Sequence, residues 1–436
     1  MTTHVIPAAS RDAPHAVKPF HLLVLTGSYA PDRTGIAPLN TELSEYLAAR
    51  GHRVSVATVF PHYPEWKLSR EYRSALWRSE LRNGVHLYRG PVYVPSKRTS
   101  LRRILYDTSV GLSTALRALP LPRADLILAV SPPLQVALAG GFLSRLKRIP
   151  LLVQVKDLLP DLAIALGMLR NPWAIHLARK LEELVYRQAS DVLVICEGFA
   201  SSLRSKGVPE SKIHIIPDWV DTRFIRPNPS QDGFRRTHRI ASSDFLVLHT
   251  GNMGAKQKLD NLLEAASLLQ SLPDLRFCLV GDGSDRVRLE QCAHNLALPN
   301  VRFLPLQPRE VLPSMLASAD VLLLNQASRV VDMVIPSKLL TYLAAGRPVI
   351  AAVPPASEAS RCLGDAGGGL VVEPENPAQL AAAILNLYEH RDRALQMGLA
   401  ARRYAESHFA SDRILARYES LFASVACLPQ HSRSSL

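Results

Sequence analysis

The chain has 436 residues, 47% hydrophobic and 20% charged, with a formal charge of +13 and a pI near 9.7. That length exceeds one compact core and calls for two domains, within a composition ordinary for a soluble globular protein. A membrane-spanning helix is excluded by pattern, because the best apolar stretches, 126–130 and 136–143, are short and split by Pro132-Pro133.

In chain order, residues 1–19 are polar and Pro/Ala-rich, lack the apolar core of a signal peptide, and read as a disordered tail. Short apolar, β-branched runs then predict strands at 22–26, 53–58, 85–88, 126–130, 151–155, 192–195 and 213–216. Helical spacing falls between them, as in 40–50, 100–119 and 175–189. Pro217–Pro229 (PDWVDTRFIRPNP) has neither periodicity and suits a connection between domains. The theme resumes with strands at 246–250, 276–280, 301–304, 321–324, 348–351 and 370–372 and helices at 259–271, 285–295, 308–317 and 377–390. Nearly unbroken apolar strands alternating with helices imply α/β architecture, parallel sheets covered on both faces. The expected division is a domain over 20–218, a linker over 219–230 and a second domain over 231–405. A helix over 406–427 follows, which the pattern assigns to neither domain, and then a tail over 428–436. Two doubly wound domains whose strand carboxyl ends face each other enclose a cleft.

Charge narrows the partners. Between Lys67 and Arg103 stand ten Lys or Arg against Glu71 and Glu80. No helix-turn-helix, zinc-finger or aromatic RNA-binding pattern accompanies them, so nucleic acid is not expected. An anionic membrane surface or lipid phosphate fits better, because 100–119 (SLRRILYDTSVGLSTALRAL) reads as a basic amphipathic helix. A solvated helix packed on its own domain is the alternative. The five cysteines are scattered, form no Cys-x-x-Cys pair and read as thiols in a reducing cytoplasm.

Several loops at strand ends carry candidate chemistry. The stretch 335–350 (IPSKLLTYLAAGRPVI) predicts a helix opened by Pro336 and stopped at Gly346. The free N–H groups of Ser337, Lys338 and Leu339, with the Lys338 ammonium, converge in front of it as a phosphate site would require. After the first strand of the second half, 249–258 (HTGNMGAKQK) exposes backbone at Gly251 and Gly254 and adds Lys256 and Lys258, which fits a diphosphate. A third strand–glycine turn, 280–284 (VGDGS), brings Gly281 and Gly283. In the first half, 23–35 (LVLTGSYAPDRTG) is a strand and a loop ending at Gly35, but it lacks the dinucleotide fingerprint. Lys156, Asp157 and Asp161 follow the strand at 151–155, where a charged side chain faces the cleft or forms a structural ion pair or cap.

The order LVLTGSYAPDRTG, GHRVSVAT, FPHYPEW, SPPLQ, VKDLLPD, HIIPDWVD, TGNMGAKQ, LVGDGS, MVIPSKLLTYLAAGRPVIAA and VVEPENP resembles the retaining family 4 glycosyltransferases of GT-B fold. It is similar to the branch that builds bacterial surface polysaccharide, which includes colanic-acid and fucosamine transferases. The resemblance spans roughly 22–404. It implies two Rossmann-like domains facing across a deep cleft, and transfer of a sugar from a nucleotide diphosphate-sugar, UDP-linked by expectation, to a hydroxyl with retained configuration. The acceptor it implies is a lipid-linked saccharide at the inner face of the cytoplasmic membrane, where the chain would be peripheral. No cofactor and no metal are expected, and the chain contains no Asp-x-Asp triplet.

Carried onto this chain, the implied donor site comprises Gly35, Gly251, Asn252, Gly254, Lys256, Lys258, Gly281, Gly283, Pro336, Ser337, Lys338, Leu339 and Thr341. Asp157, Lys258 and Lys338 are the expected catalytic residues, and His62, Tyr63, Trp66 and Asp161 the expected acceptor contacts. The chain departs from the wider family at two glutamates eight positions apart, here Met333 and Thr341, and at an arginine, here Asn252. Two other readings of the same residues stay open, a nucleotide-sugar 2-epimerase on this fold and a non-catalytic partner subunit.

Overall fold

The computed structural model describes residues 17–32, 35–63, 66–68, 70–96, 99–165, 167–227, 232–328 and 336–427. Residues 1–16 of the expected N-terminal tail, the expected tail at 428–436, residues 228–230 of the expected linker and residue 231 lie outside them. Of the rest of the expected N-terminal tail, Val17 packs on the first core while Lys18 and Pro19 are exposed.

Two sheets account for the strands. The first holds β1 (His21–Leu25), β2 (Arg53–Val59), β3 (Arg78–Arg82), β4 (Val85–Gly90), β5 (Leu126–Ser131), β6 (Leu151–Val155), β7 (Asp191–Val194) and β8 (Ile213–Ile215), in the order β3-β4-β2-β1-β5-β6-β7-β8. Every pairing is parallel except β3 with β4. The antiparallel β3 was not expected. Its residues, RSELR, are mostly exposed and alternate in no apolar pattern, as befits a charged edge strand. The second sheet holds β9 (Phe245–Asn252), β10 (Leu275–Asp282), β11 (Val301–Leu304), β12 (Val321–Asn325), β13 (Val349–Ala352) and β14 (Gly369–Val372), all parallel, ordered β11-β10-β9-β12-β13-β14. In both sheets the order reverses beside the first strand, β1 and β9, so the switch point that opens a crevice in doubly wound sheets is present twice. Central strands such as β5 and β12 are buried along their whole length, with helices on both faces.

The two units are joined by two crossings of the chain. Val220 donates to Phe409 O and its own carbonyl accepts from Ser411 N, so the outgoing and returning segments run side by side. Beyond that crossing the helix Ser411–Cys427 packs on the first sheet. Ile414, Leu415, Tyr418, Phe422 and Val425 join the core formed by Leu22, Val24, Val54 and Leu126. Glu419, almost wholly buried on that helix, accepts from Tyr46 (3.1 Å), Arg50 Nε (2.8 Å) and His52 Nε2 (3.0 Å). Lys156 at the end of β6 is ion-paired to Asp218 of the outgoing segment and lies over the Trp219 ring, 5.7 Å from its centroid.

Candidate active site

The helix Ser337–Ala344 begins at Pro336, which stands at the N-cap with extended backbone and no side-chain cap bond. Gly346 follows its end with φ +68, and Pro348 prevents continuation. Leu339, Leu340 and Leu343 bury one face, and Tyr342 pins the helix to β9: its hydroxyl accepts from Thr250 N at 2.9 Å and bonds Thr250 Oγ1 at 3.1 Å. The helix start is thereby fixed over the loop that leaves β9.

Lys338 is directed into that loop. A Cβ placed on Gly251 would lie 3.5 Å from Lys338 Nζ, so the ammonium packs against this residue, whose φ of +106 is what favours glycine. The stem of Lys338 reaches the surface, but Nζ is sealed from solvent and has no hydrogen-bond partner among the described residues. Burial pulls its pKa down from 10.5 to about 8. His249, two residues before Gly251 on β9, is completely buried, and its Nδ1 lies 3.2 Å from Leu323 O. A carbonyl only accepts, so Nδ1 carries the proton and Nε2 a lone pair. Burial first, then the Lys338 charge, hold the ring neutral. A cation with no counter-ion among the described residues, beside the N–H groups of Ser337 and Lys338, has the features an anion site requires, whereas the Leu339 N–H, expected to be free, donates to Pro336 O at 2.9 Å.

Other expected donor residues divide by what they touch. Asn252 Nδ2 and Gly254 N both donate to Gln257 Oε1, at 3.3 and 3.2 Å, so this loop is braced internally. Gly281 and Gly283 serve contact between loops: a Cβ at either would fall within 2.3 Å of Gly251 O or Met253 O. Lys258 adopts φ +44 and its ammonium lies 3.7 Å from Glu375, which also accepts from Ser328 N and Oγ. Its charge is therefore shared with a carboxylate, unlike that of Lys338. Thr341 is half-buried on the helix Ser337–Ala344, and Met333 lies outside the described residues.

Across the cleft, Asp157 follows β6. Burial raises its pKa to about 6, against the opposing pull of Lys256 from the second unit. Asp157 and Lys256 thus face each other across the two sheets' carboxyl ends. Two expected acceptor contacts are corrected. The Asp161 carboxylate is held by Lys206 Nζ at 2.6 Å, which also binds Glu182, so it is a structural ion pair. His62 is buried with Nδ1 2.9 Å from Phe60 O and Nε2 2.9 Å from the Tyr106 hydroxyl; both nitrogens are used within the domain. Burial lowers its pKa and keeps it neutral. What His62 does is assemble an aromatic cluster: Trp66 lies 5.2 Å from Tyr106 and 6.1 Å from Tyr63. Tyr63 in turn is the neighbour of Gly35, whose Cβ position lies 3.9 Å from it. Tyr63 is exposed and Trp66 half-buried.

The helix Ser100–Ala118 is amphipathic as expected, but its basic residues do not form the outer face. Arg103 turns inward over Tyr106, with its Cζ 5.2 Å from the ring centroid, and leucines face out. Neither Arg103 nor Tyr106 was singled out as a cleft residue in the sequence, where only the proximity of Arg103 to the helix start gave a signal. Among the described residues no helix is long and apolar enough to cross a membrane. A groove of about 520 Å³ between β8 and the helix Ser411–Cys427 lies at the sheet edge and contains none of the candidate residues.

Two facing Rossmann-like units with an anion receptor on one wall and an aromatic, carboxylate-bearing opposite wall define a GT-B glycosyltransferase. Residues 34–219 match the Glycosyl transferase 4-like domain and residues 230–404 match Glycosyl transferases group 1. WcaI of Escherichia coli, named as a colanic acid biosynthesis glycosyl transferase, is 31% identical over 91% of this chain and 98% of its own. A GDP-mannose-dependent α-(1-6)-phosphatidylinositol monomannoside mannosyltransferase of Mycobacterium tuberculosis is 23% identical over 91% of this chain and 96% of its own. The crystal structure of Anabaena HepE in complex with UDP superposes with a TM-score of 0.69 at 16% identity, covering 93% of this chain and all of that one. The chain belongs to the family 4 glycosyltransferases.

Proposed function

We propose that the chain transfers a sugar from a nucleotide diphosphate-sugar, with UDP as the nucleotide, to a lipid-linked saccharide during assembly of a bacterial surface polysaccharide, with retention of configuration. The observation that carries this reading is the sealed Lys338 ammonium, without a partner among the described residues, at the start of the helix Ser337–Ala344. The named role of WcaI supports the pathway class, and the UDP bound to HepE supports the nucleotide.

In this reading the diphosphate lies between the Gly251–Lys258 loop and the helix start. Negative charge grows on the leaving diphosphate in the transition state, where the Ser337 and Lys338 N–H groups and the Lys338 ammonium stabilise it without reorganising. These groups take the part a divalent cation would play. Closure of the two units expels water and aligns the acceptor hydroxyl, held near Tyr63, Trp66 and Asp157, with the anomeric carbon. Same-face attack then retains configuration, and a donor phosphate oxygen receives the acceptor proton. The exposed leucine face of the helix Ser100–Ala118 rests on the inner face of the cytoplasmic membrane, where the acceptor lipid resides.

The test combines a thermal-shift screen across UDP-, GDP- and dTDP-sugars with transfer of radiolabelled sugar into the organic-extractable lipid of bacterial membranes. A selective shift with one nucleotide and a labelled lipid support the reading. Consumption of donor with no acceptor present would favour the 2-epimerase instead, and binding without any turnover a silent subunit.

A further inference from the structure

The helix Ser100–Ala118 has two faces with different business. Leu101, Leu105, Leu112 and Leu116, followed by Leu119 at its end, recur at helical spacing and are 42–68% exposed. Tyr106, Val110, Ser113 and Thr114 form the buried face. Arg103 belongs to that inward side, three residues before Tyr106 and seven before Val110, and it sits in the first turn, which the chain enters from the carboxyl end of β4. Asp107 Oδ1 and Oδ2 accept from its Nε at 3.0 and 3.2 Å, and the Tyr106 ring supports the guanidinium from below. The outer edge of the fork, Nη1 and Nη2, makes no hydrogen bond among the described residues, and the side chain is 45% exposed. Through the Tyr106 ring it borders the aromatic cluster, because Trp66 lies 5.2 Å from Tyr106.

We propose that Arg103 is the acceptor-side phosphate contact: it binds the phosphoryl group that joins saccharide to lipid, while the leucine stripe on the opposite side of the same helix lies in the membrane surface. This inference rests on the lipid-linked acceptor proposed above and assigns the residue that recognises it. A guanidinium held by a carboxylate through Nε presents its other edge as a rigid two-pronged donor, the geometry that matches a phosphate. The separation also fits. The diameter of a helix with its side chains, about 10–12 Å, lies between the leucine stripe and Arg103. A phosphate emerging from the membrane interface would cover that distance and deliver the attached sugar to Tyr63, Trp66 and Asp157. Charge and apolar surface thus act on one amphiphile, a phosphorylated polyisoprenoid, not on free phosphate.

The experiment is isothermal titration of the full chain with farnesyl diphosphate, inorganic diphosphate, farnesol and UDP. The wild type should bind farnesyl diphosphate more tightly than inorganic diphosphate or farnesol, and UDP should not displace it. Arg103→Lys, which keeps the charge but loses the fork, should weaken farnesyl diphosphate about tenfold, roughly 1.4 kcal/mol, with UDP binding unchanged. Leu105→Ser combined with Leu112→Ser should weaken farnesyl diphosphate and leave inorganic diphosphate alone. Wild-type affinity in Arg103→Lys, or displacement by UDP, overturns the assignment. Labelled lipid formed equally by wild type and Arg103→Lys would sink this inference alone, whereas absence of labelled lipid with the wild type removes the acceptor reading and this inference with it.

Discussion

Replacing Lys338 with Met should make the ligand-free protein more stable and the nucleotide site nearly useless. The ammonium is sealed without a partner among the described residues, and its pKa falls from 10.5 to about 8 because burial opposes its charge. Each pKa unit is worth 1.36 kcal/mol, so the buried charge costs the folded state roughly 3 kcal/mol as an upper bound. The sign follows from proton counting. Between pH 8 and 10.5 the unfolded chain binds a proton that the folded chain does not, so wild-type stability rises with pH across that window. Below pH 8 the full cost is present. Lys338→Met keeps the stem's packing and removes the charge, so its melting temperature at pH 7 should rise by about 4–8 °C. Calorimetry reads that rise, and titration with UDP reads the loss, expected at 100-fold or more. Wild-type UDP affinity should itself fall about tenfold per pH unit above 8 as the lysine deprotonates. A melting point that does not move in Lys338→Met, or UDP affinity flat from pH 7 to 9.5 in the wild type, refutes the buried-cation argument.

Transfer by the wild type should decline below about pH 6 as Asp157 takes up its proton, whereas Asp157→Asn should bind UDP normally and show only a low, pH-independent rate; a flat wild-type profile between pH 5 and 7 contradicts this role. Lys256→Ala removes the opposing positive charge, so the acid limb should move to higher pH in the same assay. His62→Phe leaves the Tyr106 hydroxyl without its partner, and chemical denaturation should show a loss of about 1–3 kcal/mol with UDP binding intact. Glu419→Ala strands three donors, Tyr46, Arg50 and His52, and should cost about 3 kcal/mol by the same measurement. Burial raises the Glu419 pKa, but bonds from Arg50, His52 and Tyr46 outweigh it and hold the carboxyl below 4.5, so this contribution is present above pH 4.5 and fades on further acidification.

Strand positions were legible because parallel strands buried on both faces read as plain apolar runs; β5, expected at 126–130, is Leu126–Ser131. The polar edge strand β3 has no such run and went unseen. The donor-side helix was legible from Pro336, its leucines and Gly346, all local signals, though the proline stands one place earlier than expected, at the N-cap. Side-chain roles were harder wherever the deciding partner is distant in the chain. His62 looked available until Tyr106, 44 positions on, claimed its second nitrogen. Asp161 and Lys206 show the same effect. Lys338 and Lys258 are both plausible phosphate lysines by position, and only Glu375 tells them apart. For the basic helix, spacing gave the two faces, while the direction in which Arg103 turns depends on Asp107 and on the Tyr106 ring beneath it.

The return of the helix Ser411–Cys427 to the first sheet has a consequence for synthesis. Its residues leave the ribosome roughly 200 residues after β8, about 10–40 s later at ordinary elongation rates. During that interval Leu22, Val24, Val54 and Leu126 lack the cover that Tyr418 and Phe422 supply, and the second sheet has every residue it needs before the first does. Vectorial folding therefore runs backwards in this molecule: the unit made first is completed last, and a chain truncated after residue 410 would carry a finished second unit beside an open, sticky first unit.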